Sequence, residues 1–252
     1  MAKLPISVQL YTLRDAVSAD FAGTLKKLAQ IGYKAAELAG YGDLKTADAT
    51  KKAFDAAGLV VSGMHVSRDQ FKGNIAGVIA DAKTLGCTNV ILPYVDHNSF
   101  KSGEDWRAFA VECNGYAKPV VDAGLTFSYH NHDFEFKKFD GVYAFDTFLQ
   151  HSDPKLVKIE LDLYWVSKGG LDPVAYLKQI GSRVILVHLK DKAADGKFAP
   201  VGTGTLDFKA LTDTAAGLGV KYGVVEQDDS YGKDPIENVT ISFENLKKLG
   251  VV

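Results

Sequence analysis

One segment in the last third of the chain, GSRVILVHLK at residues 181–190, carries the clearest indication of the fold. Four consecutive apolar residues stand in its middle, and His188 and Lys190 follow them at alternate positions. A continuous apolar run of this kind is typical of a strand buried on both faces of a parallel sheet. Gly181 fits the residue that ends a preceding helix. The segment therefore predicts a joint between a helix and a strand in an α/β protein, with polar side chains at the carboxyl end of the strand.

The same joint recurs along the chain, because a glycine repeatedly closes a helical stretch directly before a β-prone run. Between the joints, apolar residues such as Trp106, Phe109 and Cys113 keep the helical period. Asp172-Pro173 and Asp234-Pro235 each place an N-cap acid before a proline at the first helical position. The glycines of the pattern are Gly32, Gly58, Gly86, Gly124, Gly181 and Gly219.

Eight strand-like segments follow from this pattern, each with a helix-compatible segment behind it. Strict alternation of strands and helices implies right-handed crossovers and a parallel sheet. For 252 residues without a linker, we predict a single domain over residues 1–252 with the (β/α)8 TIM-barrel fold. An open doubly wound sheet is the alternative, but the turn at residues 11–15 has no glycine-rich phosphate loop. The predicted strands are Ile6–Tyr11, Lys34–Leu38, Val60–His65, Asn89–Pro93, Thr126–Asn131, Val157–Asp162, Val184–Leu189 and Gly223–Glu226.

Composition restricts the partners of the chain. A formal net charge of −2 provides no basic field for phosphates or anionic lipid, so we expect neither nucleic acid nor a membrane as partner. No apolar run approaches the roughly 20 residues that span a bilayer, and we expect no signal peptide. Two cysteines without CxxC spacing predict buried thiols, and a cytoplasmic location is expected. The sequence leaves the oligomeric state open, a homo-oligomer included.

Polar side chains stand at nearly every predicted strand end, where TIM-barrel enzymes hold their chemistry. In a closed barrel these ends surround one mouth, so carboxylates and imidazoles must share a small volume in which like charges repel. A divalent cation relieves that conflict, and this donor set suits Mn2+, Co2+, Zn2+ or Mg2+. We therefore predict one divalent metal ion at the mouth. The strand ends offer Gln9 and Tyr11, Glu37, His65, Tyr94, His130 and His132 with Glu135, Glu160 and Asp162, His188 and Lys190, and Glu226 with Asp228.

Strand alternation indicates which of these residues point into the barrel, because residues two apart share a face. Glu160 shares a face with Asp162, and His188 shares one with Lys190. Apolar neighbours such as Leu161 would then pack outward against helices. Glu160 fits an interior layer below the mouth, so Asp162, nearer the strand end, is the better candidate for a metal ligand.

Six short motifs stand at the predicted strand ends, and their order and spacing are specific only in combination. They are QLYTLR at 9–14, YHNH at 129–132, LD at 161–162, HLKD at 188–191, VGTG at 201–204 and VE at 225–226. With them the chain, from Ser7 to about Leu249, resembles the sugar phosphate isomerase/epimerase group of xylose isomerase-like TIM barrels, which includes inosose dehydratases and tagatose epimerases. The resemblance implies a metal held by a Glu on the fifth strand, an Asp on the sixth, a His on the seventh and a Glu on the eighth.

The fifth strand departs from this family pattern, because HNH at residues 130–132 stands where relatives have Glu-Asn-His. The fourth ligand is therefore His130 by alignment or Glu135 by chemistry, and its place on the strand itself favours His130. The other three positions match the pattern directly: Asp162, His188 and Glu226.

The resemblance also implies a reaction class. In related isomerases and epimerases two carboxylates act as base and acid at the sugar carbon, and the metal stabilises the developing enediolate. Glu226 is the one clear carboxylate of that pair, and we assign the general-base role to Glu135 in the following loop. His132 would contact the substrate above the metal, and Lys190 completes the catalytic set.

Three functions are compatible with these residues. The first is a metal-dependent isomerase or epimerase that acts through an enediolate on a ketose, a polyol-derived compound or a related small sugar. The second is a lyase or dehydratase that removes water or an alcohol from a keto-sugar by β-elimination in the same site. The third is a barrel that binds sugar without turning it over.

Substrate contacts are expected from five further residues at the strand ends. One of them, Trp165, stands where many relatives carry a histidine. The loop at residues 202–204 is either a phosphate-binding loop or a flexible one, because successive backbone N–H groups can hold an anion. The expected substrate-binding residues are Gln9, Tyr11, Glu37, His65 and Trp165.

Overall fold

The computed structural model describes residues 3–252 and shows a closed barrel of eight parallel strands. Each strand pairs with the next along the chain and the last pairs with the first, so the sheet has no free edge. The predicted (β/α)8 TIM-barrel fold is confirmed. The strands are β1 (Ile6–Gln9), β2 (Ala35–Leu38), β3 (Val60–His65), β4 (Asn89–Leu92), β5 (Thr126–His130), β6 (Val157–Asp162), β7 (Val184–Leu189) and β8 (Tyr222–Val225).

One helix or two follow every strand. Short antiparallel hairpins occupy two loops: Lys138–Phe139 pairs with Val142–Tyr143 after β5, and Asp191–Lys192 pairs with Phe198–Ala199 after β7. In residues 3–252 no helix has the length and apolar content that a bilayer crossing requires. The helices are α1 (Arg14–Ala19), α2 (Phe21–Ile31), α3 (Ala47–Ala57), α4 (Arg68–Leu85), α5 (Gly103–Asp122), α6 (Ala144–His151), α7 (Leu163–Lys168), α8 (Pro173–Ile180), α9 (Phe208–Gly217) and α10 (Pro235–Lys248).

Strand boundaries agree with the sequence prediction to within two residues, and those of β3, β6 and β7 coincide with it. The largest difference is at β1, where the side-chain oxygen of Gln9 accepts the N–H of Tyr11 at 3.1 Å and a 3-10 helix, Leu10–Leu13, replaces the strand. All six joint glycines have positive φ angles. Gly181 differs from the expected left-handed helical cap, because its ψ of −128° leads into a 3-10 turn.

The apolar core lies between the barrel and the helical layer. On α5, Trp106, Phe109 and Cys113 are fully buried, as the helical period predicted. Burying an apolar side chain such as that of Phe109 contributes about 1.5–3 kcal/mol, so this layer supplies much of the stability. Cys87 and Cys113 are buried free thiols, in agreement with the prediction.

The inside of the barrel is polar, in contrast to the layer outside it. The hydroxyl oxygens of Ser7 and Ser62 lie 2.6 Å apart near the middle of the barrel. Closer to the carboxyl ends of the strands, Glu37, Glu160 and His188 are fully buried. Buried polar groups need partners, and the three side chains contact one another here, although one oxygen of Glu37 and one of Glu160 have no hydrogen-bond partner among the described residues.

Candidate metal centre

A buried carboxylate, that of Glu160, lies at the centre of the polar layer. Its Oε2 is 2.9 Å from Nε2 of His65, 3.0 Å from Nδ1 of His130 and 3.2 Å from Nε2 of His188. Burial alone would raise the pKa of Glu160, but the neighbouring imidazoles outweigh it and hold that pKa well below its usual range. Glu160 is therefore an ionised acceptor shared by three rings.

The four metal ligands predicted from the sequence converge at the ends of their strands. One donor atom from each lies within 4.8 Å of the other three. His188 Nδ1 is 2.8 Å from Glu226 Oε2, and His130 Nε2 is 3.8 Å from Asp162 Oδ2. Two imidazole nitrogens and two carboxylate oxygens, all buried, are a donor set that divalent transition metals accept. The residues present therefore fit one divalent cation.

Local hydrogen bonds orient these ligands. Asp162 caps α7, because its Oδ1 accepts the N–H of Trp165 at 3.0 Å while Oδ2 faces the cluster. Asn131 links the ends of β5 and β6, since its Oδ1 accepts the N–H of Asp162 at 2.9 Å. The N–H of Glu226 donates to the carbonyl of Leu189 at 3.2 Å. The asparagine of the HNH motif thus joins two strands that carry ligands.

Lys190 places a buried ammonium beside the same carboxylates. Its Nζ lies 3.1 Å from Asp162 Oδ2, 2.8 Å from Glu226 Oε2 and 2.9 Å from Asp228 Oδ1. Burial would lower the pKa of Lys190, but the three carboxylates hold it well above its usual value. The ring of Trp165 lies 5.2 Å from Nζ and shields the ammonium from one side. Lys190 therefore stays charged.

An open cleft of about 530 Å³ lies over the cluster. This volume is within the range of small-molecule sites. Tyr11 is 46% exposed at the edge of the cleft, whereas His130 and Lys190 are buried beneath its surface. Six residues that the sequence analysis singled out line it: Tyr11, His65, His130, His132, Lys190 and Glu226.

Four more lining residues had no role assigned from the sequence. Tyr94 and Asp228 were recognised as strand-end residues only, and burial followed by repulsion from Glu226 raises the pKa of Asp228 to about 6. Ser67 and Gln70 reach the cleft from the start of α4. The sequence feature that could have identified Ser67 and Gln70 is the Ser-x-x-Gln capping box that follows β3, and this capping box is present in the structure.

Three residues expected to bind substrate lie behind the cleft lining instead. Gln9 and Glu37 are completely buried, and Gln9 Nε2 donates to Glu37 Oε1 at 2.8 Å. Glu37 Oε1 in turn lies 2.9 Å from His188 Nε2. Trp165 packs against the ring of His132 at 5.4 Å. Substrate contact by these three residues stays a prediction, and the structure places them behind the residues that line the cleft, because strand alternation indicates a face of the barrel but not depth below the cleft.

Glu135, assigned from the sequence as the general base, does not lie in the cleft. Its Oε1 accepts the hydroxyl of Tyr129 at 2.6 Å and its Oε2 accepts the backbone N–H of His132 at 2.9 Å. Tyr129 points outward from β5 and packs against Phe148, so Glu135 lies in the layer between barrel and helices. Burial raises the pKa of Glu135 to about 8 despite these hydrogen bonds. The structure thus places Glu135 on the outer side of β5, which it supports, and the general-base role stays a prediction that this position does not favour.

His132 stands in the wall of the cleft among aromatic side chains. Its ring stacks on that of Phe134, with centroids 5.4 Å apart and 7° between the planes, and the ring of Tyr94 meets it at 5.6 Å. Burial and then the nearby His130 lower the pKa of His132 to about 2. A neutral imidazole at this position can donate to or accept from a hydroxyl group.

The loop at residues 202–204 is organised by a carboxylate. Asp191 Oδ2 accepts the N–H groups of Gly202 at 2.9 Å and Gly204 at 2.7 Å, and its Oδ1 accepts that of Leu206 at 3.3 Å. These N–H groups are thus occupied by the protein itself. Of the two roles considered for this loop, phosphate binding is disfavoured, and the loop is clamped rather than flexible.

The fold and the site together define a class: closed TIM barrels with a cluster of imidazoles and carboxylates at the mouth that could hold a metal ion. The model of the xylose isomerase-like TIM barrel family matches residues 25–249, and the chain belongs to this family. The predicted family resemblance is therefore confirmed.

Individual relatives agree with this assignment. A sugar phosphate isomerase/epimerase from Parabacteroides distasonis has a TM-score of 0.84 and 25% identity, over 100% of this chain and 96% of its own. An inosose dehydratase from Clostridium beijerinckii is 25% identical over 140 residues, which are 47% of this chain and 45% of the relative. The match thus spans about half the length of that curated relative. A probable 3-DHS dehydratase from Bacillus anthracis shares the fold, with a TM-score of 0.76 at 11% identity over 97% of this chain and 99% of its own.

Proposed function

We propose that this protein is a divalent-metal-dependent isomerase or epimerase that moves a proton on a small sugar or polyol-derived substrate. The observation that carries the proposal is the double position of Glu226, which belongs both to the donor cluster and to the lining of the cleft. A sugar that fills the cleft would lie against a carboxylate that is also a candidate metal ligand. Membership of the family, and the likeness to a sugar phosphate isomerase/epimerase, support the proposal.

His130, Asp162, His188 and Glu226 would hold the cation. When bound, a divalent cation polarises a neighbouring carbonyl or hydroxyl and stabilises the negative charge that develops on an enediolate. Lys190 steadies two of the ligands through its contacts with Asp162 and Glu226. The remaining steps, which are binding, orientation and proton transfer, belong to residues of the chain.

Proton transfer would use groups from two walls of the cleft. Glu226, at the end of β8, is proposed to remove the proton from the substrate carbon. His132, beyond the end of β5, would hold a substrate hydroxyl as a neutral imidazole, and Glu226, once protonated, would return the proton to the neighbouring carbon. Because β6 and β7 separate β5 from β8 in the barrel, the two groups approach a substrate from different sides.

The charges around the cleft favour an uncharged sugar over a sugar phosphate. Among the lining residues that the structure describes, Lys190 is the one lysine or arginine, and its ammonium already contacts three carboxylates. The N–H groups of Gly202 and Gly204 are taken by Asp191. A phosphate would therefore meet Glu226 and Asp228 without a free cationic partner.

Deuterium exchange tests the proposal. The protein, loaded with Mn2+ for activity and chelator-treated as the metal-free control, is incubated in D2O with unphosphorylated keto-sugars and with their phosphates, and proton NMR follows each carbon. We expect exchange at one carbon of an unphosphorylated sugar, dependence on the metal and loss in Glu226→Gln. The control variant Glu135→Gln changes a buried carboxylate outside the cleft and should retain exchange. Exchange that survives chelation, or that occurs with sugar phosphates alone, would contradict the proposal.

The second candidate function is β-elimination of water or an alcohol from a keto-sugar. The position of Glu135 outside the cleft favours it, since β5 then supplies an imidazole where a two-carboxylate epimerase would place its second acid. Elimination needs one base at carbon and one acid at the leaving group. Formation of an unsaturated product in the same NMR assay, with loss of the substrate hydroxyl, distinguishes this reaction from epimerisation. Saturable sugar binding without exchange or product would indicate the non-catalytic barrel.

A further inference from the structure

We infer that Glu160 is a positioning residue that determines which ring nitrogen of His130 carries the proton, so that the other nitrogen is presented to the metal. This inference rests on the proposed metal centre and deepens it. The proposed ligand set is His130, Asp162, His188 and Glu226, and Glu160, two residues before Asp162 on β6, lies outside that set. Glu160 also belongs to a second group of possible metal donors, together with His65, His130 and His188.

The geometry places the two nitrogens of His130 in opposite directions. Nδ1 is 3.0 Å from Glu160 Oε2, whereas Nε2 is 3.8 Å from Asp162 Oδ2 and belongs to the donor set. His130 is 3% exposed, so water has little access to either nitrogen. Within residues 3–252, Glu160 is the one partner within hydrogen-bond distance of Nδ1.

A neutral imidazole carries one N–H and one lone pair, and a metal binds the nitrogen with the lone pair. An ionised carboxylate can only accept a hydrogen bond, so Glu160 requires the proton on Nδ1 of His130. The lone pair then lies on Nε2, on the side of Asp162. This is the usual way in which a carboxylate behind a histidine fixes the orientation of a metal ligand.

The contact between Glu160 and His130 matters because β5 carries a histidine where the family pattern has a glutamate. An ionised glutamate, which is the ligand in the family pattern, can bind a metal through either carboxylate oxygen. A neutral histidine has two tautomers, and only the tautomer with its lone pair on the metal-facing nitrogen can bind the metal. The substitution of histidine at position 130 therefore creates a requirement that a buried acceptor must meet. Glu160 meets it from the adjacent strand, since His130 and Glu160 are paired residues of β5 and β6.

His188 provides a comparison within the same protein, because its Nε2, the ring nitrogen that faces away from Glu226, has two acceptors. Nε2 of His188 is 2.9 Å from Glu37 Oε1 and 3.2 Å from Glu160 Oε2. Loss of Glu160 would leave Glu37 to hold His188, while His130 would lose its single acceptor. Glu37 is thus a matched control: it is equally buried and belongs to the same network, but it does not contact His130.

Nitrogen-15 NMR of the histidine rings in metal-free protein tests the tautomer directly. In wild type we expect His130 to show a protonated Nδ1 and an unprotonated Nε2. Glu160→Met, which removes the acceptor and keeps the side chain's length, should lose that pattern, whereas Glu37→Met should keep it. Glu160→Gln retains an oxygen that can accept from Nδ1 and should restore the pattern. A wild-type His130 protonated on Nε2, or an unchanged pattern in Glu160→Met, would overturn the inference.

Titration with Co2+, followed by its visible absorption, measures the consequence for the metal. We expect Glu160→Met to bind Co2+ about 10–100-fold more weakly than wild type, as is typical for loss of a partner behind a ligand. Glu37→Met should lose clearly less, and Glu160→Gln should fall between Glu160→Met and wild type. Equal losses in both Met variants would contradict a specific role of Glu160.

Failure of this inference can be told apart from failure of the proposed function. If wild type shows the expected tautomer but exchanges no sugar proton in D2O, the positioning role stands and the proposed reaction fails. If exchange occurs but the tautomer of His130 does not depend on Glu160, the reaction stands and the positioning role fails. If Glu160→Met does not fold, Glu160→Leu and the matched Glu37→Leu replace the two Met variants, with the same expected difference in the tautomer of His130 and in Co2+ affinity.

Discussion

Two buried glutamates lie on opposite faces of the barrel wall and behave in opposite ways. Glu160 points into the barrel and contacts three imidazoles, whereas Glu135 lies outside β5 and is bonded to a tyrosine hydroxyl and a backbone N–H. Both are 0% exposed. Nevertheless the pKa of Glu160 is held well below its usual range, and that of Glu135 is raised to about 8. Burial raises the pKa of both groups, and the opposite outcomes follow from the partners, because imidazoles can carry positive charge whereas a tyrosine hydroxyl and a backbone N–H cannot.

The comparison of Glu160 with Glu135 shows that the inner and outer faces of β5 and β6 have different roles. Groups on the inner face assemble donors and charges at the cleft, while groups on the outer face hold the wall in position. Substitutions on the inner face should therefore change metal binding and turnover, and substitutions on the outer face should change stability and its pH dependence.

The largest effect is expected for His188→Ala, on the inner face. His188 contributes Nδ1 to the donor set and contacts Glu37 and Glu160 through Nε2. Its loss should weaken metal binding more than about 100-fold, since loss of a partner behind a ligand alone costs about 10–100-fold. Metal analysis after gel filtration measures the effect, and His151→Ala, on the exposed end of α6, serves as control. Full metal content in His188→Ala would remove His188 from the ligand set.

A pair of variants tests the two faces of β5 against each other. His130→Ala should weaken metal binding at least about 10-fold, because it removes a donor from the cluster. Glu135→Gln should retain both the metal and proton exchange, because Glu135 does not reach the cleft. Metal affinity from Co2+ titration and exchange rates in D2O provide the two readouts. The opposite result, with metal lost in Glu135→Gln and kept in His130→Ala, would make the loop carboxylate the fourth ligand.

A third buried carboxylate, that of Asp191, extends the comparison to the loop after β7. Asp191→Ala leaves the part-buried N–H groups of Gly202 and Gly204 without their acceptor, which should cost about 0.5–1.5 kcal/mol in unfolding free energy for each hydrogen bond lost. Urea denaturation measures this loss. Asp195→Ala, at an exposed position of the same loop, should stay within about 0.5 kcal/mol of wild type. Equal stability of the two variants would mean that Asp191 does not clamp the loop.

A gradual effect, spread over several pH units, concerns the pH dependence of stability. The pKa of Glu135 rises from 4.5 to about 8 on folding, so between these values the folded state keeps a proton that the unfolded state releases. Stability should therefore fall as pH rises through this window, by at most about 1.4 kcal/mol per pH unit. Glu135→Gln cannot titrate, so its unfolding free energy should fall less steeply than that of wild type between pH 5 and pH 8, as measured by urea denaturation. Parallel pH profiles would show that Glu135 is ionised in the folded protein.

Much of the fold and of the candidate metal cluster could be predicted because it depends on local period and face. The apolar run of β7 and the alternation along β6 point His188 and Asp162 into the barrel, and the parallel arrangement then brings them to one mouth. Glu226 follows directly after β8 and joins them for the same reason. The position of a residue on a strand is therefore set by the strand and can be predicted together with it.

Depth and loop direction could not be read from the same patterns. Gln9 and Glu37 have the predicted face, but their contacts with each other hold them beneath the cleft. Glu135 lies in a 3-10 turn, Phe134–Phe136, whose direction is set by the hydroxyl of Tyr129 on the far side of β5. These contacts join residues that come close to each other only in the folded barrel. The periodicity of apolar and polar residues along the sequence therefore does not predict them.

The pairing of β1 with β8 has a consequence for the order of folding. Ile6 pairs with Gly223 and Val8 with Val225, so this ladder joins opposite ends of the chain and closes a longer loop than the other strand pairs of the barrel do. Contacts between such distant residues carry the greatest loop-closure entropy and are characteristic of slow folding steps. The four proposed donors, in contrast, lie on the consecutive strands β5 to β8, which pair with one another without this ladder. The donor cluster can therefore assemble before the barrel closes, whereas the contact between Glu37 on β2 and His188 on β7 forms only when closure brings these two strands to one mouth.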